Sequence, residues 1–312
     1  MPATPHSIAR ARAAELTALL AEVRRIEVHG RRLAAGVMAG GYRSVFRGVG
    51  IEFDEVREYV EGDDPCSVDW NVTARVGRPF VRKYVDERER TLLFLFDGSA
   101  SMAAGLSAWS ARTAATRVVA CLALSAVRSH DKTGLIAFGG GAPQVVPPRK
   151  GAGHALRIVR DCLALPSLEG GSDLAAALEL AARVVRRGAI VFVLSDFLCD
   201  GWREPLARCA QRHDVVAVRL LVPELVAPPA GGVLRVRDPE TGGVMLADFS
   251  SARVRDAWSQ RLAAWRRRTE EELARARVDR LDVRIDRAPT RETIARPILD
   301  FFRMRELRGA KR

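Results

Sequence analysis

With 312 residues, 48% hydrophobic and 28% charged, the chain has the length of roughly two domains and is too apolar for general disorder. Its 50 Lys and Arg stand against 38 Asp and Glu, a net charge of +12 that points to acidic proteins or nucleic acid as partners. No run approaches the ~18 consecutive apolar residues of a membrane span, and the first twelve residues lack the apolar core of a secretory signal.

The expectation is therefore a soluble, cytoplasmic chain with no membrane contact. The 5 cysteines are scattered without a Cys-x-x-Cys pair, which fits neither a disulfide framework nor a zinc site. The basic residues are almost all Arg and are interspersed with acids rather than blocked, the pattern of a solvated surface.

Taken in order, residues 6 to 28 carry Leu16, Leu19, Leu20, Val23 and Ile26 at helical spacing, so residues 1–29 are expected to form an N-terminal helix. Residues 30–90 change character. Gly36, Gly40, Gly41, Gly48, Gly50, Gly62 and Gly77 punctuate β-prone pieces such as Tyr42–Phe46 and Phe80–Val85, predicting a small β-rich subdomain. Ile51–Val60 fits a strand or a helical face, the Glu61-Gly62-Asp63-Asp64-Pro65 cluster reads as an acidic turn, and Trp70 reads as a core anchor.

From residue 91 to about 306, strands and helices alternate. Strands are expected at 91–97, 133–138, 189–194, 215–221 and 281–285, and a short edge strand at 144–146 ended by Pro147-Pro148. Helices are expected near 109–129, 151–164, 173–187, 202–212, 251–277 and 290–306. Residues 233–249 interrupt the alternation with a β-hairpin around Asp238-Pro239-Glu240-Thr241-Gly242-Gly243. The pattern predicts a Rossmann-like, mostly parallel sheet flanked by helices.

The chemistry gathers at Thr91–Met102. Leu92–Phe96 runs unbroken into Asp97, with Ser99 and Ser101 at the next alternate positions. In open α/β sheets, ligands sit beyond the C-terminal strand ends. A carboxylate and two hydroxyls on one tight loop suit Mg²⁺, with Mn²⁺ as the alternative, because both prefer oxygen ligands. The plainer reading is an Asx turn followed by serines that cap the next helix. Two further loops bear on the choice: Gly170-Gly171-Ser172-Asp173 opens a helix, and Asp196 ends a second buried strand. On one sheet edge these loops would place two carboxylates and three hydroxyls. Two acids at adjacent strand ends repel unless a cation lies between them.

Asp97-x-Ser99-x-Ser101, Gly171-Ser172-Asp173-Leu174 and Leu194-Ser195-Asp196 resemble the metal-ion-dependent adhesion site (MIDAS) of von Willebrand factor A-like domains. The resemblance spans about 91–300 and implies Asp97, Ser99, Ser101, Ser172 and Asp196 as metal ligands. Ser172 stands where such domains usually carry Thr. Upstream, Tyr42-Arg43-Ser44, Gly50–Tyr59, Gly62-Asp63-Asp64 and Asp69–Arg75 resemble the signature of domain-of-unknown-function family 58. This chain has Pro65-Cys66-Ser67 where the family usually has a basic residue. The resemblance implies a bacterial protein that works with a MoxR-type AAA+ ATPase, or with that ATPase's protein substrate, in assembly or maturation of complexes.

Three function classes follow. The first is a non-enzymatic adaptor whose bound Mg²⁺ captures an acidic side chain of a partner. The second is a metal-dependent hydrolase, against which stand the absence of a second acid two residues after Asp97, of a Gly-x-Ser-x-Gly elbow and of a phosphate-binding loop. The third is nucleic-acid binding through the arginines. Against it, residues 266–312 hold enough acids to pair internally and no recognition motif.

Overall fold

A computed structural model of the chain describes residues 52–60, 63, 68–85, 89–165, 171–186, 188–228, 231–238 and 241–309. These fall in two compact units, one within Arg43–Glu89 and the other within Arg90–Arg312. The expected N-terminal helix and the Tyr42–Phe46 strand lie outside the described residues, as does the acidic cluster apart from Asp63.

In the smaller unit, β1 (Glu52–Glu58) pairs antiparallel with β2 (Phe80–Val85), with a bulge between Phe53 and Glu55. The ambiguous 51–60 stretch is thus a strand. Between the two lies α1 (Trp70–Val76), started by Asp69, whose carboxylate accepts the Asn71 N–H at 3.0 Å. Gly77 ends the helix at φ 74°, a left-handed conformation open to glycine at little cost. One expectation is corrected here: Trp70 is 72% exposed and anchors no core, whereas Asp69 is buried. The backbone N–H groups of the helix start draw the carboxylate inward, and the first helical residue is left facing outward.

The larger unit is built on a six-stranded sheet of β3 (Thr91–Asp97), β4 (Lys132–Gly139), β5 (Gly141–Arg149), β6 (Ile190–Ser195), β7 (Asp214–Leu221) and β10 (Asp279–Arg284). The spatial order is β10-β7-β6-β3-β4-β5, parallel except for β5 against β4. Leu92 to Phe96 are fully buried, as a strand covered on both faces requires. Between and after these strands lie α2 (Ala100–Ala103), α3 (Ala111–Arg128), α4 (Ala152–Ala164), α5 (Leu174–Val184), α6 (Arg203–Ala210) and α7 (Pro223–Val226). The chain continues through β8 (Val233–Arg237), β9 (Val244–Asp248), α8 (Ala252–Arg275) and α9 (Glu292–Gly309).

Alternation along the strands gives each face its own core. Leu93, Leu95, Val191, Val193 and Ala217 pack with Leu174 and Leu178 of α5, Leu206 of α6 and Leu273 of α8. On the other face Phe94 stacks on Phe192 at 5.8 Å, and α3 contacts both α4 and α9. Helix α3 is buried nearly all round from Ala111 to Ala126, as a central covering helix should be.

The edge strand departs from expectation. β5 runs through Pro147 and Pro148 to Arg149 instead of ending before them. Proline lacks the N–H a central strand needs, but β5 is the last strand of the sheet and pairs on one side only. Gly134 of β4 accommodates it: a Cβ there would come within 2.9 Å of the Pro148 ring.

Candidate functional site

From β3 the chain runs outward through β4 and β5, then returns to place β6 against the opposite side of β3. Strand order reverses between β3 and β6, so the crevice beyond their C-terminal ends is the topological switch point. Asp97 and Ser195 end those two strands, and Asp196 follows.

Three loops converge on Asp97, which is fully buried. Its Oδ1 accepts the Ser99 N–H at 3.0 Å, the expected Asx turn. Its Oδ2 accepts two hydroxyls, Ser172 Oγ at 3.1 Å and Ser195 Oγ at 2.6 Å. Ser99 Oγ lies 3.1 Å from Ser101 Oγ. The loop after β3 is held down by the Gly98 N–H, which donates to Phe138 O of β4 at 2.7 Å. A Cβ on Gly98 would run into the Leu165 side chain and come within 3.3 Å of Phe138 O, so a larger residue here would require Leu165 to move.

The loop after β6 repeats the device. Asp196 Oδ1 accepts the Leu198 N–H at 3.0 Å, and Ser195 Oγ accepts the Phe197 N–H at the same distance. Phe197 between them takes φ 60°, a conformation unusual for a bulky residue. It is held by burial, an edge-on contact with Trp202 at 5.3 Å, and a hydrogen bond to its carbonyl from Trp265 Nε1.

The expected residues thus have distinct placements. Asp97, Ser99, Ser101 and Ser172 form one hydrogen-bonded cluster, and Asp196, 4% exposed, sits on the adjoining loop. Asp173, next to Ser172, turns away to cap α5 by accepting the Ala176 N–H at 2.9 Å. Two further participants lie outside the expected set. Ser195 makes the shortest bond to Asp97; it belongs to the Leu194-Ser195-Asp196 motif but is not among the implied ligands. Cys199 lies near this cluster, and its thiol is pushed up to about 12, mainly by burial and then by the negative charge of Asp97. The short Asp196–Cys199 spacing is its only sequence signal.

Burial raises the Asp97 pKa, opposed by hydrogen bonds from Ser195, Ser99 and Ser172, and the net direction is upward. A buried carboxylate with a second acid beside it is costly as an anion unless compensated. Among the described residues no three His, Cys, Asp or Glu side chains gather as a metal cluster. The donors gathered at Asp97 are hydroxyl and carboxylate oxygens, a set whose chemistry fits a hard cation such as Mg²⁺ or Mn²⁺.

Elsewhere many arginines are spoken for. Arg219, 1% exposed, bonds Asp282 through Nε and Nη2 at 2.8 and 2.7 Å and Glu270 at 2.9 Å. Arg305 pairs with Asp214 and Asp279, and Arg308 with Asp279. Much of the basic C-terminal stretch therefore serves the fold. No helix among the described residues is long and apolar enough to cross a membrane.

An uncharacterized protein of Mycobacterium tuberculosis, Rv1480, is 31% identical over 272 residues, covering 86% of each chain. Among solved structures, an aerotolerance-related membrane protein from Bacteroides fragilis is 19% identical with a TM-score of 0.44, covering 69% of this chain and 99% of that one. The SpRpn10 VWA domain is 18% identical with a TM-score of 0.33, covering 43% of this chain and 77% of its own. Neither structural likeness bears on what the site binds. The family described as protein of unknown function DUF58 matches residues 55–268, and together with the mycobacterial relative this places the chain in the DUF58 family.

Proposed function

We propose that the chain is a non-enzymatic protein-interaction module in which Asp97, Ser99, Ser101, Ser172 and Asp196 hold Mg²⁺, or Mn²⁺ in its place. The bound ion would supply Lewis-acid affinity for a carboxylate of a partner. The observation that carries the reading is the convergence of Ser172 and Ser195 on Oδ2 of a buried aspartate at the switch point of the sheet. Hydroxyls are neutral, so such ligation leaves much of a dication's charge available to an outside carboxylate.

The chain's own residues position rather than react. Asp97 is fixed through both oxygens, and the Asx turns at Asp97 and Asp196 aim both loops at one crevice. Among the described residues, no histidine stands by the serines to act as their base: His154 bonds Thr133 O at 2.9 Å, and His213 lies at the opposite end of β7. A serine hydroxyl without a base is a poor nucleophile. A serine-nucleophile form of the hydrolase alternative therefore lacks its base.

The resemblance to family 58 supplies the partner class, an AAA+ ATPase of the MoxR type or a protein that it remodels. The test is capture of the purified ATPase in Mg²⁺ and ATP by the intact chain, compared with Asp97→Ala and Ser172→Ala. Varying the protein rather than adding chelator leaves the ATPase its own Mg²⁺-nucleotide. Capture by wild type and loss in both variants is the expected result. Equal capture by all three would remove the metal site from the interaction.

A further inference from the structure

The polar edge continues into an apolar groove. A cleft of about 540 Å³ extends from Ser101 and Asp196 to the β8–β9 hairpin, with Leu106, Leu198, Leu234 and Trp258 in its walls. Binding clefts commonly span ~300–1,000 Å³. Leu106 is 71% and Leu198 45% exposed. Both sit on ordered turns: the Leu106 N–H donates to Glu224 Oε1 at 2.8 Å, and the Leu198 N–H donates to Asp196. The turn that positions Asp196 also presents Leu198.

The hairpin adds a second apolar element. Residues opposite one another in an antiparallel ladder share a face. The register sets Arg235 against Leu246 and Arg237 against Val244, with Val233 two residues before Arg235 on the same face. Ala247, on the other face, is buried. The outward face thus carries Val233, Val244 and Leu246, at 65%, 49% and 72% exposure, beside two arginines. Neither Arg235 nor Arg237 forms an ion pair among the described residues. The groove itself is lined by Leu234 and Val236 of the opposite face together with Arg235 and Arg237, so the hairpin brings both apolar side chains and positive charge to its wall.

We infer that the groove docks an extended segment of a partner protein in which one carboxylate is followed by apolar side chains and then by a second acidic residue. Resting on the metal reading above, the first carboxylate lies at the Asp97 cluster, the apolar residues lie along Leu106, Leu198 and Leu234, and the second acid meets Arg235 and Arg237. Charge complementarity places one acid at each end of the groove, the metal end and the arginine end. Glu224 in the middle of the wall disfavours an acid there, so the central positions are apolar. The chain's net charge of +12 favours encounter with such a segment.

The test is panning a random dodecapeptide library displayed on phage against the intact chain in Mg²⁺, then measuring one enriched peptide by fluorescence anisotropy. Enriched sequences should share an acid, an apolar stretch and a second acid. Leu106→Ser and the pair Arg235→Glu/Arg237→Glu should each weaken the peptide about tenfold or more, with Mg²⁺ uptake by calorimetry unchanged. Two variants on separate loops guard against a local folding defect in either. No enrichment, or hairpin and Leu106 variants that bind like wild type, would overturn the proposal. In the second case, loss in Asp97→Ala alone would leave the metal reading standing. A chain that takes up no Mg²⁺ yet loses peptide on groove substitution would do the opposite, keeping the groove and removing the metal. Concentration-dependent self-association abolished by the same substitutions would name a second copy as the occupant and also overturn the proposal.

Discussion

Ser195 donates its hydroxyl to Oδ2 of Asp97 at 2.6 Å across 98 residues of sequence, tying the ends of the two strands that flank the switch point. The same hydroxyl oxygen accepts the Phe197 N–H at 3.0 Å, so one side chain serves the carboxylate and the strained loop together. Ser195→Ala leaves a buried amide without a partner and the carboxylate short of one donor. The expected cost is about 1–3 kcal/mol, read from the urea midpoint with no divalent metal present. An unchanged midpoint would show that water or a neighbouring hydroxyl takes over both bonds.

Asp97→Asn separates the cost of the buried charge from its use. Without divalent metal, the variant exchanges a carboxylate whose pKa is raised by burial for a neutral amide. The surrounding serine hydroxyls can turn to accept from that amide. The variant should therefore be at least as stable as wild type in EDTA. In Mg²⁺, wild type gains as a ligand-bound protein does, about 2.7 kcal/mol at one hundred times Kd, and the variant gains little. Thermal melts across a Mg²⁺ series make the comparison, and equal metal-induced shifts in the two proteins would rule out Asp97 as a ligand.

Much of this is legible in the sequence because local and global signals agree. Leu92–Phe96 reads as a strand buried on both faces, and it is one; the alternation after it gives the parallel direction of β3, β4, β6 and β7, though not their order. The Asx turn at Asp97 is also readable, being local. What sequence alone does not carry is long-range choice. Nothing near Ser195 says that its hydroxyl, rather than Asp196, reaches Asp97 across the crevice. Trp70 misleads because size suggests burial, whereas the helix cap buries Asp69 instead. The prolines of β5 read as a stop because being an edge strand is a property of the whole sheet.

Arg219 is the structural counterpart of the site's buried acids. It stands on β7 directly beside Asp282 of β10 in the parallel register, and a two-point contact holds it there. Burial lowers its pKa, but the hydrogen bonds and charges of Asp282 and Glu270 more than offset that and leave it raised. Arg219→Lys keeps the charge but loses the planar fork and the simultaneous bond to Glu270. Arg219→Met removes the guanidinium and leaves Glu270 and Asp282 with Arg280, which pairs with both at 3.1 and 3.4 Å from the more exposed side. Breaking a buried pair costs about 3–5 kcal/mol; Asp282 and Glu270 retain some exposure, so the loss for Met should fall at the lower end, with Lys intermediate. Guanidinium unfolding of the two variants would test the order, and equal stability of Lys and wild type would show that charge alone suffices.

His213 gives the fold a pH dependence separate from the metal site. It is 6% exposed, and its Nδ1 has no hydrogen-bond partner. Burial, and then the charge of Arg212, lower its pKa below the ordinary 6.5. Above pH 6.5 the ring is neutral in both folded and unfolded chains, and histidine takes nothing from stability. As pH falls below that value, the unfolded chain binds the proton first, so stability declines until the folded pKa is reached. Ordinary carboxylates titrate mostly below about pH 4.5; the Asp97 carboxyl is raised by burial, and the comparison with a histidine variant cancels it. His213→Gln should flatten the melting temperature between about pH 6.5 and 5 relative to wild type, with little difference above neutrality. The wild-type-minus-variant curve cancels the other histidines. Parallel curves across that interval would mean that the folded chain accommodates the imidazolium, most directly by moving Arg212 away from the ring.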